Sequence, residues 1–218
     1  MSDRILTACA ALARWPFEPD SARVVEVAGG LINDTFRVEA DGQRFALQRV
    51  APIFEPAVCD DVDRVTRHLA ANGVGTPRVV RSRDDRTHEV VDGGTWRVLT
   101  WIDGVMHERV DRGGLARAAG AALGRFHAAL SDYDAPFAAR RLGVHDTDRH
   151  LRALKDALTH HADHPRWAAV APVGEAILAH PRPALPNTPE RVVHGDPKIT
   201  NLVFDGATQI GKAWIDLD

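Results

Sequence analysis

Three oxygen-bearing side chains near the carboxyl end constrain the fold of this chain more than any other feature. Asp196 lies in the segment 193–201 (VHGDPKITN), and Asn201 follows it five positions later. Asp216 lies in the run 214–218 (WIDLD), after an apolar segment with the pattern of a strand. We expect a fold that brings these three groups around one cavity.

This spacing is the arrangement that phosphoryl transfer uses to hold a hydroxyl, a nucleotide and Mg²⁺ together. Asp196 would orient or deprotonate the attacking hydroxyl. Asn201 and Asp216 would supply the oxygen ligands that Mg²⁺ prefers. Lys198 could reach the transferred phosphate as a point charge. The pattern therefore predicts phosphoryl-transfer chemistry.

A simple turn is the alternative explanation for the same loop. Residues 195–197 (GDP) are typical of a tight turn after a buried strand. Asn201 and Asp216 at suitable separations weaken that interpretation. His194, at the start of the loop, is expected to orient its neighbours by hydrogen bonding and not to act as a base.

The N-terminal half has the pattern of an antiparallel sheet with a helix. Asp41-Gly42 predicts a tight hairpin between two of the strands, and Asn72-Gly73 predicts the end of a helix with apolar residues at positions 58, 62, 65 and 69. The predicted strands are residues 24–27, 35–39, 44–50, 78–81 and 96–102. Helical spacing dominates the second half, in segments at 114–130, around 151–158 and around 167–177.

A glycine-containing turn joins the first two predicted strands. The amides of Gly29 and Gly30 could cover the phosphates of a nucleotide. An ordinary hairpin is the alternative, because two glycines between strands usually serve only the turn.

The chain resembles the aminoglycoside phosphotransferase and choline kinase superfamily, and within it the N-acetylhexosamine 1-kinases most. The segments that carry the resemblance are residues 30–36 (GLINDTF), 45–50 (FALQRV), 64–66 (RVT), 123–127 (LGRFH), 144–147 (VHDT), the Asp196 loop and 215–218 (IDLD). The resemblance implies an α+β, protein-kinase-like two-lobe fold. Its nucleotide-binding lobe would span residues 1–102 with an N-terminal helix, and a mainly helical lobe would span 103–218.

What the resemblance implies for activity is transfer of the γ-phosphate of ATP, with Mg²⁺, to the hydroxyl of a small molecule. The anomeric hydroxyl of an N-acetylhexosamine is the expected acceptor, and an aminoglycoside or choline-type acceptor is the alternative. Asp196 and Lys198 would be catalytic, and Asn201 and Asp216 would bind the metal. The nucleotide would contact Gly29, Gly30, Asn33, Gln48 and the hinge residues Thr100, Trp101 and Ile102.

Gln48 departs from the wider kinase pattern, because it occupies the strand position where a lysine usually grips the phosphates. Lys198, Mg²⁺ and loop amides are expected to compensate. Arg49 should face away from the nucleotide, since successive strand side chains point to opposite faces. Asp61 or Asp63 could occupy the place of the helix partner of the missing lysine, or either could be a solvated helix charge.

His145 and Asp146 have two interpretations that remain open. The resemblance implies that they lie near the acceptor cleft, where Asp146 could bind sugar hydroxyls. Asp146 is equally suited to cap the helix that follows it. A metal site formed with His160, His161 and His164 is a weaker possibility, because the sequence contains no H-E-x-x-H pattern.

Composition argues against several other classes of protein. A net charge of −3 with scattered Lys and Arg gives no basic stripe for nucleic acid. Two cysteines argue for reduced thiols in the cytoplasm, and no apolar segment is long enough for a signal peptide or a membrane span.

The position of Asp216, two residues before the last residue, leads to a further expectation. Chains of this resemblance continue with helices that complete the acceptor site, so the helical lobe is expected to be incomplete. The apolar faces of the helices at 114–130 and 150–178 should then lack partners and could promote self-association. A catalytically silent nucleotide-binding fragment is the resulting alternative.

Overall fold

The computed structural model describes residues 2–18, 22–28, 32–181 and 188–218. They form two compact units, residues 1–140 with 191–218 and residues 141–190. The prediction of a mixed α+β fold with an N-terminal antiparallel sheet is confirmed. The predicted lobe boundary at residue 102 stays a prediction.

The first unit is built on a six-stranded sheet in which every pair of strands is antiparallel. The strands are β1 (Arg23–Glu26), β2 (Asp34–Ala40), β3 (Gln43–Val50), β4 (Val79–Val80), β5 (Glu89–Val91) and β6 (Gly94–Thr100). Their order is β1-β2-β3-β6-β4, with β5 also paired to β6. Asp41 and Gly42 have φ values of 52° and 71°, as the predicted tight hairpin between β2 and β3 requires.

Two helices cover the two faces of this sheet. Helix α1 (Asp3–Leu12) packs on the face that carries Phe36, Leu47 and Trp96. Helix α2 (Val58–Ala71) covers the opposite face, where Val50, Cys59 and Val62 form a second cluster. Helix α2 ends at the predicted Asn72-Gly73 pair, and Gly73 has a φ of 71°.

Helix α3 (Gly113–Ala129) belongs to the same unit and packs against a hairpin formed by β7 (Leu202–Phe204) and β8 (Gly211–Trp214). The expectation that this helix would lack a partner is therefore wrong. Leu115 and Phe126 are 2% and 1% exposed, because the hairpin and the end of α2 cover them.

The second unit contains α4 (Thr147–His160) and α5 (Trp167–Ala179), which pack against each other. Gly174 allows their close approach, since an added Cβ would lie 2.9 Å from the side chain of Leu158. Apolar side chains of α5 are exposed, with Val170 at 50%, Val173 at 60% and Ile177 at 49%. The expectation that the helices at 150–178 would lack partners is wrong for the face where α4 and α5 pack together, whereas the expected exposure of apolar side chains is observed on α5.

Candidate active site

The β7–β8 hairpin brings the two predicted metal-binding segments together. Leu202 pairs with Trp214, so the next residues outward, Asn201 and Ile215, lie opposite each other. The main-chain N–H of Ile215 donates to the carbonyl of Asn201 at 2.9 Å. Asp216 therefore lies beside the end of the loop that carries Asp196, although the two are 20 positions apart in sequence.

His194 connects the loop to the same strand end. Its Nε2 donates to the carbonyl of Ile215 at 3.0 Å, and its Nδ1 accepts the N–H of Asp196 at 3.4 Å. Because a carbonyl only accepts and an amide N–H only donates, these bonds require the neutral ring with its proton on Nε2. Burial lowers the pKa of His194 and favours that neutral form. His194 thus acts as an orienting hydrogen-bonding residue, as predicted.

Asp196 and Lys198 form an ion pair at the surface of the loop, with side chains that are 55% and 48% exposed. The hydrogen bond from Lys198 holds the pKa of Asp196 below its usual value, and Asp196 raises the pKa of Lys198 in return. Asn201, which is buried, donates its Nδ2 to the carbonyl and to Oδ2 of Asp196, at 3.0 and 3.2 Å. The loop therefore presents an ionised carboxylate and an ammonium group to solvent.

Asp216 has a left-handed backbone conformation, with a φ of 62°. Aspartate tolerates this region better than most residues, and such conformations cluster at functional sites. Asp216 is exposed at the surface, yet partial desolvation raises the pKa of its carboxyl and Asp218 raises it further, whereas Lys198 and Arg97 lower it. Asp216 thus lies within electrostatic reach of the Asp196 loop.

The chemistry of these donors fits a hard cation shared with a nucleotide. Asp216 offers a carboxylate, and Asn201 offers its amide oxygen because the amide nitrogen is turned toward Asp196. Among the described residues, no group of three or more His, Cys, Asp or Glu side chains could hold a metal ion. A cation at this place would accordingly take further ligands from phosphate oxygens or water, as Mg²⁺ commonly does.

The residues of the sheet region that were predicted to contact the nucleotide differ from one another in their surroundings. Gly29 and Gly30 lie outside the described residues. Asn33 is buried, donates to Asp218 Oδ2 at 2.6 Å and accepts the N–H of Ala51 at 2.9 Å. Gln48 hydrogen-bonds to protein groups on both sides of its amide. The roles of Asn33 and Gln48 toward a nucleotide stay predictions.

The predicted hinge is already hydrogen-bonded in part. The N–H groups of Thr100 and Trp101 donate to the carbonyls of Arg78 and Arg44, at 2.8 and 3.2 Å. Their amides are therefore not free to recognise an adenine edge. If a main-chain N–H of this segment binds the base, it belongs to Ile102 or a later residue.

The two candidates for a helix partner of the missing lysine are used elsewhere. Asp61 is 3% exposed, pairs with Arg64 and accepts the N–H groups of Ala138 and Ala139. Asp63 is 4% exposed and pairs with Arg67 and Arg81. The expectation of a solvated charge is wrong, because both carboxylates are buried against arginines and, for Asp61, main-chain amides. The role of helix partner at the Gln48 position stays a prediction.

Asp146 caps helix α4, since its side chain accepts the N–H of Arg149 at 2.8 Å. His145 is exposed. A role for either residue toward an acceptor stays a prediction. His160 and His164 have local partners, the carbonyl of Asp156 and the N–H of Arg166.

Arg97 is a residue that the sequence interpretation missed. It lies on β6 directly opposite Gln48, is 2% exposed and forms a bidentate ion pair with Asp218 at 2.5 and 2.9 Å. The available signal was a polar residue among apolar neighbours in each of two central strands, Gln48 after Leu47 on β3 and Arg97 between Trp96 and Val98 on β6. Their pairing could not be known before the strand register was known.

Three solved structures illustrate the similarity of this fold to known proteins. A microcompartment-associated aminopropanol kinase is 18% identical with a TM-score of 0.64, over 98% of this chain and 69% of that one. Spectinomycin phosphotransferase, in complex with ADP and spectinomycin, is 10% identical with a TM-score of 0.57, over 100% and 69%. An amicoumacin kinase, in complex with AMP-PNP, Ca²⁺ and Ami, is 18% identical with a TM-score of 0.50, over 76% and 55%.

At these identities the similarity establishes the fold, and this chain spans only 55 to 69% of the length of the three proteins. The sequence itself matches the phosphotransferase enzyme family over residues 23–218, which include the sheet, the Asp196 loop and Asp216. The chain therefore belongs to the phosphotransferase enzyme family.

Proposed function

We propose that this protein transfers the γ-phosphate of ATP to a hydroxyl group of a small molecule. The observation that supports the proposal best is the grouping of Asp196, Lys198, Asn201 and Asp216 at one end of the β7–β8 hairpin, in a chain of this family. Mg²⁺ bound with the nucleotide would neutralise phosphate charge during transfer.

Each side chain has a distinct role in the proposed reaction. Asp196 accepts the proton of the attacking hydroxyl as the new O–P bond forms, the bond to the β-phosphate oxygen breaks and ADP leaves. Lys198, already close to Asp196, would pair with the charge of the moving phosphoryl group. Asn201 and Asp216 would hold the metal.

An N-acetylhexosamine, phosphorylated at its anomeric hydroxyl, is the acceptor that we propose. What supports this choice is the resemblance of residues 30–36 and 144–147 to sugar kinases. Aminoglycosides, choline and amino alcohols are the competing acceptors. Release of ADP in the presence of Mg²⁺, measured against a panel of these compounds, distinguishes them.

A nucleotide-binding fragment without turnover is the second candidate. It is favoured by the fact that the chain spans 55 to 69% of the length of the three similar structures. Binding of AMP-PNP without ADP release for any acceptor would support this candidate over the kinase.

The Asp196→Ala variant tests the proposed chemistry directly. Turnover should fall by about 100-fold or more, because a positioned base contributes about 10²- to 10⁴-fold. AMP-PNP affinity should change little, since Asp196 faces the acceptor. Asp205→Ala is the matched control: Asp205 stabilises the turn at 205–208 by accepting from Ala207 and Thr208, so its loss should lower the melting temperature but not kcat. Unchanged turnover in Asp196→Ala would remove Asp196 from its role.

We also propose that the exposed apolar side chains of α5 promote self-association. Val170, Val173 and Ile177 recur at a spacing that places them on one side of the helix.

A further inference from the structure

Arg97 is a buried cation whose nitrogens are all engaged. Nε and Nη2 donate to Gln48 Oε1 at 3.0 and 2.8 Å, and Nη1 and Nη2 donate to the two carboxylate oxygens of Asp218. The side chain of Arg97 is 2% exposed. Because nothing of the guanidinium group is left for solvent, Arg97 cannot itself bind a phosphate in this arrangement.

The surroundings of Arg97 explain why a neutral residue occupies the usual lysine position. Gln48 accepts from Arg97 through its oxygen and donates through its nitrogen to Thr35 Oγ1 at 3.1 Å. An ammonium group at position 48 would lie beside the guanidinium group, and like charges this close repel strongly in a buried setting. Gln48 therefore suits a site whose cation is supplied by the neighbouring strand.

The other end of the network reaches the candidate metal ligand. Asp218, whose side chain is 2% exposed, lies two residues after Asp216 and also accepts from Asn33. On the other side of Asp216, the main chain of Ile215 is bonded to Asn201 and His194. Asp216 is thus held between two anchored neighbours, and one of those anchors is the ion pair with Arg97.

We propose that Arg97 is a positioning residue for Asp216: by binding Asp218, it fixes the segment that carries the metal-binding carboxylate to the central sheet. Arg97 supplies a positive charge near the position of the usual lysine. Unlike that lysine, it binds protein groups and not the phosphates of the nucleotide. This inference rests on the proposed function of Asp216. It is separable from a purely structural role, since removal of one partner of a buried ion pair lowers stability in either case, whereas only a positioning role also weakens Mn²⁺-dependent binding in the folded protein.

The test compares metal-dependent nucleotide binding with stability in five variants. Arg97→Met and Asp218→Asn remove one partner each, and their combination gives a double-mutant cycle. Arg97→Lys keeps the charge but loses the bidentate geometry. Arg81→Met is the matched control, because Arg81 also binds a buried carboxylate, that of Asp63, on α2. Calorimetric titration with AMP-PNP, with and without Mn²⁺, and thermal unfolding of the metal-free protein are measured for each.

We expect Arg97→Met and Asp218→Asn to weaken Mn²⁺-dependent AMP-PNP binding by about 10- to 100-fold, the effect typical of residues that orient a metal ligand. Metal-free AMP-PNP binding should change less than about twofold. The double variant should bind no more weakly than the worse single variant, since both remove one interaction. Arg81→Met should lower the melting temperature and leave the Mn²⁺ effect unchanged.

Several results would overturn the inference. One is Mn²⁺-dependent binding within about twofold of the wild type in folded Arg97→Met; another is additive losses in the double variant. If Arg97→Met does not fold, Mn²⁺-dependent binding within about twofold of the wild type in folded Arg97→Lys and Asp218→Asn would overturn the inference instead. Wild-type protein that binds AMP-PNP no better with Mn²⁺ would refute the metal role of Asp216, and the positioning role with it. Normal wild-type binding with unaffected variants would refute only the role of Arg97.

Discussion

Asp216 shows how a single residue can oppose stability and still suit a proposed role in metal binding. Partial desolvation and the neighbouring carboxylate of Asp218 raise its pKa, so the folded protein disfavours its ionised form relative to the unfolded chain. A cation needs that ionised form. Asp216 is exposed at the surface, so solvent screens part of this effect; without a cation, its charge destabilises the folded protein only slightly at neutral pH.

The Asp216→Asn variant should separate these two effects. Asparagine also tolerates the left-handed backbone at φ 62°, so the fold should be retained. The melting temperature of the metal-free protein should rise at neutral pH. Mn²⁺-dependent AMP-PNP binding should weaken by at least about 10-fold, since the loss of an outer partner alone commonly costs that much.

The pH dependence of metal affinity and that of the stability of the metal-free protein both follow from the raised pKa of Asp216. In the wild type, metal affinity should fall as the pH drops through that pKa, starting at a higher pH than for an ordinary aspartate. The contribution of Asp216 to the stability of the metal-free protein should have the opposite sign, improving as the carboxyl becomes protonated. A lower melting temperature for Asp216→Asn at neutral pH would contradict this account.

At the scale of elements, the β7–β8 hairpin organises the site because its neighbours hold it from two sides. Val105, just after β6, exchanges two main-chain hydrogen bonds with Phe204 on β7, at 2.8 and 2.9 Å. On the other strand, Gly75 after α2 bridges Ala213 on β8. The segments that follow the sheet and α2 therefore both dock on the hairpin that aligns Asn201 with Ile215.

Gly104→Ala tests the first of these docking contacts. An added Cβ would overlap the carbonyl oxygen of Phe204 and lie 2.5 Å from Cγ1 of Val203, both in a buried strand. We expect a loss of about 1–3 kcal/mol in the free energy of unfolding, as for other overpacked sites. Denaturant titration followed by fluorescence measures it.

Gly120→Ala is the control for that measurement. Gly120 lies on the exposed side of α3 with nothing within 4 Å of an added Cβ, so alanine should stabilise the protein by about 0.5–1 kcal/mol. Equal effects of the two substitutions would mean that the close approach at Gly104 does not exist.

At the scale of the whole molecule, the two compact units differ in how fully they bury apolar surface. The first unit places helices on both sheet faces and packs α3 against the hairpin. The second leaves apolar side chains of α5 exposed. No helix in the described part of the chain is both long and apolar enough to cross a membrane.

Val173→Lys tests whether the exposed face of α5 causes self-association. The wild type should show a sedimentation coefficient that rises with concentration, and the variant should show a smaller rise, because a charge now lies in the apolar patch. Val90→Lys is the control, since Val90 is 62% exposed on β5, away from α5 in sequence and in the other unit. A concentration-independent wild type would contradict the proposal.

Much of this architecture was predictable from local patterns. The Asp41-Gly42 turn, the end of α2 at Asn72-Gly73 and the helical spacing of α3 depend on residues that are near one another in the chain. The sequence analysis did not predict the short strands β5 and β7, because three residues carry too little periodicity to be distinctive; the even shorter β4 lies within the apolar segment predicted at 78–81. The Asp196 loop was recognised because its residues lie within one short segment.

What the amino-acid sequence determined by itself was the family, the α+β class and the identity of the oxygen-bearing groups, since spacing and side-chain chemistry are properties of the chain. Only the tertiary structure decided which groups pair. Arg97 meets Gln48 through strand register and Asp218 through folding across 121 residues. The tertiary structure likewise decided the burial and the partners of Asp61 and Asp63, because ion-pair partners depend on distance in space and not on distance along the chain.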